Sequence, residues 1–361
     1  MSIEAPQEAS EPVRATRRTP SRASTRSVTL ADVAALAGVS AQTVSRALRN
    51  PEEVAEHTRE RIDAAIHRSG YVPNLAARNL ASNRSRLVAT VVPSISTSVF
   101  AETVTAANEV LAPAGYQLIL GFSDYNDDQE EQLVRQLVGR RPDGVFLIGN
   151  VHTDASVHML RSSGVPVVET WGWSESPIDD QVGFSNHDAV VDLVTAVHDL
   201  GYRNPVFAGS LIPGDHRSRE RIAGFRTARS TLTPGSVDRF VDSSDLPLTL
   251  ESGALLLDRM LRAFPDLDIV MFSTDILANG ALLAAQRRGL RVPEDLGITG
   301  FGDFELSTAL SPSLTTVSVP TAELGHIAAE RLLEKMEGRA RGQAATRVAY
   351  KIAIRETTRR Q

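Results

Sequence analysis

Residues 29–48, TLADVAALAGVSAQTVSRAL, constrain the fold of this chain more than any other segment. Apolar residues recur every three to four positions on both sides of Gly38, which predicts two short amphipathic helices. Gly38 stands where the chain must turn through a positive φ, which glycine adopts at little cost. Ser40 is predicted to cap the second helix, about Ala41 to Arg49. This pattern predicts a helix-turn-helix, whose second helix enters the major groove of DNA.

The outward positions of the second helix are candidates for base contacts. Ala41, Gln42 and Arg46 fall opposite the apolar face of that helix. Glutamine pairs well with adenine and arginine pairs well with guanine in the major groove. The alternative is a buried helical hairpin without a DNA role. The small residue Ala34, the Gly38 turn and the apolar spacing together favour the helix-turn-helix.

The following residues continue this pattern. Thr58-Arg59-Glu60 opens a predicted third amphipathic helix, and YVPN at 71–74 and LAARNLA at 75–81 come after it. In order and spacing, these segments resemble the DNA-binding headpiece and hinge of the LacI/GalR family of bacterial repressors. The resemblance implies that Gln42 and Arg46 read bases beside Ala41. It also implies further DNA-binding residues, with phosphate contacts at the first four: Thr29, Ser40, Ser45, Thr58 and Asn74.

The short segment 75–81 is interpreted as a hinge. Leu80 matches the family's hinge leucine, and the resemblance implies that one Leu80 from each subunit wedges into the minor groove at the operator centre. Such a wedge costs a few kcal/mol of unstacking per base step. The other interpretation is an Ala-rich linker helix. It is too short to be stable alone, which is consistent with a segment that folds only when DNA is bound.

The distribution of charge separates a basic module from an acidic body. Residues 1–86 carry 13 Lys and Arg against 9 Asp and Glu, whereas the remainder carries 25 against 35. Residues 1–27 lack an apolar period, so we expect a disordered tail. Its arginines either add phosphate affinity or simply keep the tail solvated. The chain has no cysteine, no signal-peptide pattern and no apolar stretch of membrane-spanning length, so a cytoplasmic protein without disulfides is expected.

From Leu87 onward, short β-rich runs alternate with amphipathic helical stretches. With 361 residues the chain is long enough for several domains. The expected fold class is α/β: an all-α headpiece and hinge helix, then a body of two sub-domains with doubly wound parallel sheets. The resemblance implies a body similar to a periplasmic binding protein. The expected divisions are a tail at 1–27, headpiece at 28–74, hinge and linker at 75–86, and body at 87–361, with sub-domain 1 at about 87–185 and 314–340 and sub-domain 2 at about 186–313 and 341–361.

Ligands of such sheets bind at the carboxyl ends of the strands, where several candidate side chains fall. Arg217 and Arg221 share one face near the start of a predicted helix, a natural anion site. The resemblance assigns effector gripping to Arg221, while a solvated surface position is the alternative for Arg217. An indole at Trp171 can cover a polyol or can be core packing. The remaining candidates match strand-end positions of the family: Ser98, Phe100, Thr274, Asp275 and Gly302.

Gly302 stands where sugar-binding relatives carry an aspartate, and the loss of that carboxylate beside a retained arginine favours an anionic effector. The runs LRNPEEV, VPSISTSVFAE, GVPVVE and VGFSN resemble the gluconate-operon repressor branch of the family. We therefore expect gluconate or a related sugar acid as effector, which releases the protein from a pseudo-palindromic operator. A neutral sugar, a sugar phosphate and a purine are the alternatives.

Other chemistry finds little support in the sequence. Residues 124–128 begin like a calcium loop, but position six is Gln129 and position twelve is Arg135, so a capping turn before a helix is expected. The eight histidines lack metal-ligand spacing, and there is no phosphate loop or nucleophile elbow. We expect no enzyme, no cofactor and no membrane partner. The chain shows no terminal leucine heptads, which predicts a homodimer. A solute-binding protein is the second function class, but it leaves 29–81 unexplained.

Overall fold

The computed structural model describes residues 28–72, 84–94 and 100–359. The expected tail at 1–27, the hinge at 75–81 with Leu80, and the candidates Asn74 and Ser98 lie outside the described residues. The chain divides into two compact units, residues 1–78 and 79–361.

The first unit is helical. It contains α1 (Leu30–Ala37), α2 (Ala41–Arg49), a single 3₁₀ turn (Pro51–Glu53) and α3 (Glu56–Ser69). Both helices of the predicted helix-turn-helix are confirmed, and the third helix begins two residues before its predicted start. The small core is made by one face of each helix: Val33, Ala34, Ala37, Val44, Ala47, Ile62 and Ala65.

Caps and a close approach shape the turn between α1 and α2. Gly38 adopts the left-handed conformation, with a φ of 63°. Ser40 Oγ accepts the Thr43 backbone N–H at 3.1 Å, which confirms the predicted cap. From α3, the Arg61 guanidinium donates to the Ala37 carbonyl at 2.6 Å. The backbone angle requires glycine, and a Cβ at position 38 would lie 2.7 Å from that guanidinium and displace it.

The second unit holds two six-stranded sheets. The order across the first sheet is β11-β5-β4-β3-β1-β2 and across the second β12-β10-β9-β8-β6-β7. All neighbours are parallel except β10 and β12. The strands are β1 (Leu87–Val92), β2 (Gln117–Phe122), β3 (Gly144–Ile148), β4 (Val167–Thr170), β5 (Asp180–Gly183), β6 (Pro205–Gly209), β7 (Phe240–Asp242), β8 (Ile269–Phe272), β9 (Gly297–Gly302), β10 (Thr315–Ser318), β11 (Ala345–Arg347) and β12 (Lys351–Ala353).

Helices cover both faces of each sheet, as the continuous burial along the inner strands requires. Along β1, Val88 and Val92 face one helical layer whereas Ala89 and Val91 face the other. The helices are α4 (Ala101–Leu111), α5 (Asp127–Val138), α6 (Asp154–Ser163), α7 (Asn186–Asp199), α8 (His216–Leu232), α9 (Leu250–Ala263), α10 (Asp275–Arg287), α11 (Glu305–Ala309) and α12 (Thr321–Met336). Among the described residues, no helix is long and apolar enough to cross a membrane.

The boundaries between the sub-domains differ in part from those expected. The first crossing falls near Ser185, where it was expected. The second follows β10, which pairs with β9 in the second sheet, so the expected boundary at residue 314 is wrong. The third follows β11, which pairs with β5 in the first sheet, so the expected boundary at 341 is also wrong. Strands of three or four residues carry too few side chains to show a period in the sequence.

Candidate ligand cavity and DNA-reading helix

The exposed surface of α2 carries the three residues expected to reach bases. Ala41, Gln42 and Arg46 are exposed, while Val44 and Ala47 on the opposite face are buried. A helix held by one apolar face presents the other face to a partner as a rigid row. These three side chains are therefore free to contact a partner, as the predicted recognition helix requires.

The residues expected at phosphates have other contacts as well. Thr29 and Asp32 form a capping box at the start of α1, in which Thr29 Oγ1 donates to Asp32 Oδ2 at 2.7 Å. Ser40 caps α2, and Thr58 Oγ1 lies 3.2 Å from His57 Nε2. Ser45 is half-buried on α2. Capping hydroxyls at helix N-termini lie beside free backbone N–H groups, a suitable environment for phosphate oxygens.

The body contains a cavity of about 470 Å³ between its sub-domains, at the carboxyl ends of strands. The first sub-domain contributes Ser94, Phe100, Asp124 and Tyr125. The second contributes the larger share of the wall: Ser210, Ile212, Asp215, Arg217, Ser218, Arg221, Ser243, Leu246, Pro247, Leu248, Ser273, Thr274 and Leu277. The cavity has the size and the placement of a small-molecule site.

Arg221 projects from α8 into this cavity and is only 9% exposed. Its Nε donates to Asn186 Oδ1 at 2.9 Å, and its Nη1 donates to the Ser273 carbonyl at 2.6 Å. The guanidinium carbon lies 3.6 Å from the centre of the Phe301 ring. Burial, followed by the positive charge of Arg217, lowers the pKa of Arg221 to about 10. The side chain is thus held rigidly and remains charged at neutral pH.

Arg217 lies one helical turn earlier on α8 and reaches the other sub-domain. It is 8% exposed, and its guanidinium carbon lies 4.9 Å from the centre of the Phe100 ring. Its Nη1 donates to the Ile148 carbonyl at 3.4 Å, a long hydrogen bond across the cleft. The solvated alternative for Arg217 is therefore wrong, whereas Arg219, between the two arginines, is exposed.

Neither guanidinium has a carboxylate oxygen within ion-pair distance among the residues that the structure describes. Two carboxylates, Asp124 and Asp215, also line the wall. Asp215 accepts the Ser218 N–H at the cap of α8, and its negative charge acts to raise the pKa of Arg221 without an ion pair. In the same wall, the buried Thr274 Oγ1 lacks a hydrogen-bond partner within the described part of the chain. Two buried cations and an unsatisfied hydroxyl facing one cavity favour an anionic, hydrogen-bonding ligand.

Three candidates from the sequence do not line the cavity. Trp171 is buried in the core, where its ring contacts Phe100 edge-on at 5.1 Å and its Nε1 donates to Thr103 Oγ1 at 3.1 Å. The core-packing alternative for Trp171 is therefore the correct one. Asp275 is fully buried, and its carboxylate accepts from Thr316 Oγ1 at 2.6 Å and from Ser307 Oγ at 2.8 Å. Burial raises the pKa of Asp275. Its role is to hold strands and loops together behind the wall.

Gly302 is the third, and its backbone explains the residue type. Its φ is 130°, and a Cβ there would lie 2.6 Å from the Phe304 ring.

We expect Gly302→Asp to lower the free energy of unfolding by about 1–3 kcal/mol because of this strain. Urea unfolding measures the loss. Gly302→Ala adds no charge and should show most of the same loss. An alanine variant as stable as the unmodified protein would refute the backbone explanation. The missing carboxylate is therefore no evidence about the ligand.

Tyr125 is the clearest cavity residue that the sequence analysis missed. It adopts a positive φ of 57° just after β2, and its ring centre lies 6.0 Å from the Arg217 guanidinium carbon. Burial raises the pKa of Tyr125.

The predicted capping turn is confirmed, because Asn126 Oδ1 accepts the Gln129 N–H at 2.9 Å. The position of that turn at a strand's carboxyl end was the available signal.

A helix-turn-helix unit and an α/β body with a cavity between two sub-domains, in one chain, define a ligand-responsive DNA-binding regulator. Comparisons with known proteins agree with this class. Residues 29–74 match the model "Bacterial regulatory proteins, lacI family", and residues 194–358 match "Periplasmic binding protein-like domain". The HTH-type transcriptional regulator GntR of Escherichia coli K12 is 35% identical over 311 residues, covering 86% of this chain and 92% of that protein.

Solved structures of similar proteins also match most of the chain. A LacI-family regulator from Silicibacter pomeroyi is 36% identical, with a TM-score of 0.86 over 92% of this chain and 100% of that one. The lac repressor dimer bound to operator and the anti-inducer ONPF is 25% identical, with a TM-score of 0.77 over 92% of this chain and 99% of that one. The chain belongs to the LacI family of transcriptional regulators, which bind operator DNA and a small-molecule effector and are not enzymes.

Proposed function

We propose that this regulator represses genes for sugar-acid use, binds its operator as a homodimer, and is released when gluconate or a related sugar acid enters the cavity. The observation that carries the proposal is the pair of buried guanidinium groups, Arg217 and Arg221, with no carboxylate partner among the described residues. A carboxylate ligand would give both guanidinium groups the ion pair that the described residues do not form.

The energetics favour an acid over a neutral sugar. Burying one charge without a partner is costly, and here two like charges approach each other from adjacent turns of α8. A carboxylate bound between them relieves both effects through charge-assisted hydrogen bonds. Hydroxyl groups in the wall, including those of Ser210, Ser243 and Thr274, suit the remaining polyol. A sugar phosphate satisfies the same charges and is the second candidate.

Similarity to relatives supports the same choice. Sequence runs of this chain resemble the gluconate-operon repressor branch, and the GntR-named regulator matches over most of its length. In this proposal, Arg221, Arg217, Thr274, Phe100 and Ser98 contact the effector.

Hydrogen bonds that join the two sub-domains across the cleft offer a way for a bound ligand to change the affinity for DNA. Arg221 Nε donates to Asn186 Oδ1, and Asn186 Nδ2 donates at 3.0 Å to the Trp171 carbonyl, in the other sub-domain. Arg217 reaches the Ile148 carbonyl by a second path. An acid that binds both arginines shifts the relative orientation of the sub-domains to the extent that it prefers one orientation. That shift opposes pairing of the two hinge segments on the operator.

Calorimetry on the full chain tests the choice of ligand. Gluconate is expected to bind, 6-phosphogluconate serves as the phosphate arm, and glucose is the neutral control. Gel shifts at fixed salt then measure operator affinity with each compound. If glucose binds as tightly as gluconate, the proposed preference for an acidic effector is wrong. If bound gluconate leaves the operator affinity unchanged, the proposed release from the operator is wrong.

The hinge provides a separate prediction, on a residue outside the described part of the chain. Leu80→Ala is expected to weaken operator binding and to reduce DNA bending, because a smaller side chain cannot wedge between base steps. Effector affinity should stay nearly unchanged. A circular-permutation assay measures the bend, and Leu255→Ala on the body serves as control. Wild-type bending by Leu80→Ala would contradict the wedge.

A further inference from the structure

The cavity has a second chemical character that a simple polyol acid does not use. Apart from the arginines, five apolar side chains of the second sub-domain line it: Ile212, Leu246, Pro247, Leu248 and Leu277. We call this set the apolar wall. Ile212 is 36% exposed and Pro247 is also exposed, so the wall continues to the solvent-facing mouth. Apolar side chains that line a cavity gain free energy when an apolar part of a ligand covers them.

Hydrogen bonds hold the two loops that carry most of the apolar wall in place. The Leu211 N–H donates to Ser244 Oγ at 2.8 Å, which joins the loop after β6 to the loop after β7. The Ser244 N–H donates to Asp242 Oδ1 at 2.9 Å, and the Leu246 N–H donates to the Ser243 carbonyl at 3.0 Å. Leu246 and Leu248 also pack on the core of the second sub-domain. The wall is thus a preformed surface, which loses little entropy when a ligand covers it.

An open-chain polyol suits the hydroxyl-lined side of the cavity but fits the apolar wall poorly. Its hydroxyl groups lie along both sides of the carbon chain, so covering the wall would desolvate hydroxyls that find no acceptor there. An apolar face or substituent gains free energy from the same burial. The arginines and the apolar wall therefore select different parts of one ligand.

We propose that the effector is an amphiphilic sugar acid: a ring-form hexuronic acid, or a relative of it, that carries an alkyl or aryl group as a glycoside. Its carboxylate binds Arg217 and Arg221, and its apolar group lies on the apolar wall toward the mouth. This inference rests on the proposed function for the carboxylate end only. The apolar end is independent of it.

The test compares three probes by calorimetry on the full chain: glucuronate, phenyl β-glucuronide and the neutral phenyl β-glucoside. Phenyl β-glucuronide is expected to bind roughly tenfold tighter than glucuronate, because the phenyl group leaves water. Ile212→Ser should weaken phenyl β-glucuronide about fivefold and change glucuronate less than about twofold. Since Ile212 is half-exposed, this variant is expected to fold. Leu255→Ser is the matched control, because Leu255 is 45% exposed on α9 and does not line the cavity; it should alter neither affinity.

The possible results separate the two hypotheses. If glucuronate and its phenyl glycoside bind equally, or if Ile212→Ser weakens both alike, the inference about the apolar wall is overturned while the sugar-acid function stands. If the neutral glucoside binds as tightly as the glucuronide, the apolar wall stands and the requirement for an acid is lost. If neither acid binds but gluconate does, this inference is overturned while the sugar-acid function stands. If gluconate does not bind either, both fail.

Discussion

Replacing Arg221 by methionine is expected to abolish the response to gluconate while operator binding persists. Methionine keeps much of the volume beside Phe301 but removes the charge and all donors. Hydrogen bonds between charged groups contribute about 1.5–3 kcal/mol, so gluconate affinity should fall about tenfold to more than a hundredfold. Calorimetry measures the affinity, and gel shifts with a gluconate series measure the response.

The same substitution leaves Asn186 Oδ1 and the Ser273 carbonyl without their present donor, so stability must be measured beside binding. Relief from burying a charge opposes that loss, and we expect a small change in the midpoint of unfolding. Arg219→Met on the exposed face of α8 is the control, since it removes the same charge outside the cavity. Full gluconate affinity in Arg221→Met would refute an anionic effector, and equal losses in both variants would point to a general effect of charge.

Replacing Arg46 by alanine is expected to cost about 1–3 kcal/mol of affinity for the cognate operator and to relax discrimination at one base pair. Arg46 is exposed on α2, on the face opposite the buried Val44 and Ala47. Its removal should therefore leave the fold of the helical unit intact. Binding to a panel of operators with single substitutions, at one salt concentration, measures both effects.

A matched substitution separates base reading from charge. Arg49→Ala removes the same charge from the same helix, where the Arg49 Nε donates to the Ser45 carbonyl at 3.3 Å. We expect it to weaken binding to all sequences alike and to lower the salt dependence of binding. Unchanged base preference in Arg46→Ala across the panel would contradict the reading role.

Local patterns in the sequence were sufficient for the helical unit. The turn at Gly38, the cap at Ser40 and the apolar face with Val44 and Ala47 involve residues within a few positions of one another. Such features depend on backbone angles and helical period, both of which are written in neighbouring residues. The long strands of the body were predicted for the same reason.

The short strands and the cavity were decided by tertiary structure. The strands Thr315–Ser318 and Ala345–Arg347 exist because partners more than a dozen residues away in sequence pair with them. Trp171 and Asp275 were assigned to the site from their strand-end positions, but a strand end does not tell which way a side chain points. Their neighbours Thr103, Thr316 and Ser307 lie far away in sequence, and only the fold brings them into hydrogen-bond distance.

The sequence by itself determined the class of protein, the helix-turn-helix and the arginine pair on one face of α8. These depend on short-range spacing, which survives without knowledge of any distant contact. The tertiary structure decided which side chains share the cavity, adding Tyr125 and the apolar wall and removing Trp171, Asp275 and Gly302. A cavity is made where two sub-domains face each other, so its lining depends on contacts between distant segments that no local pattern encodes.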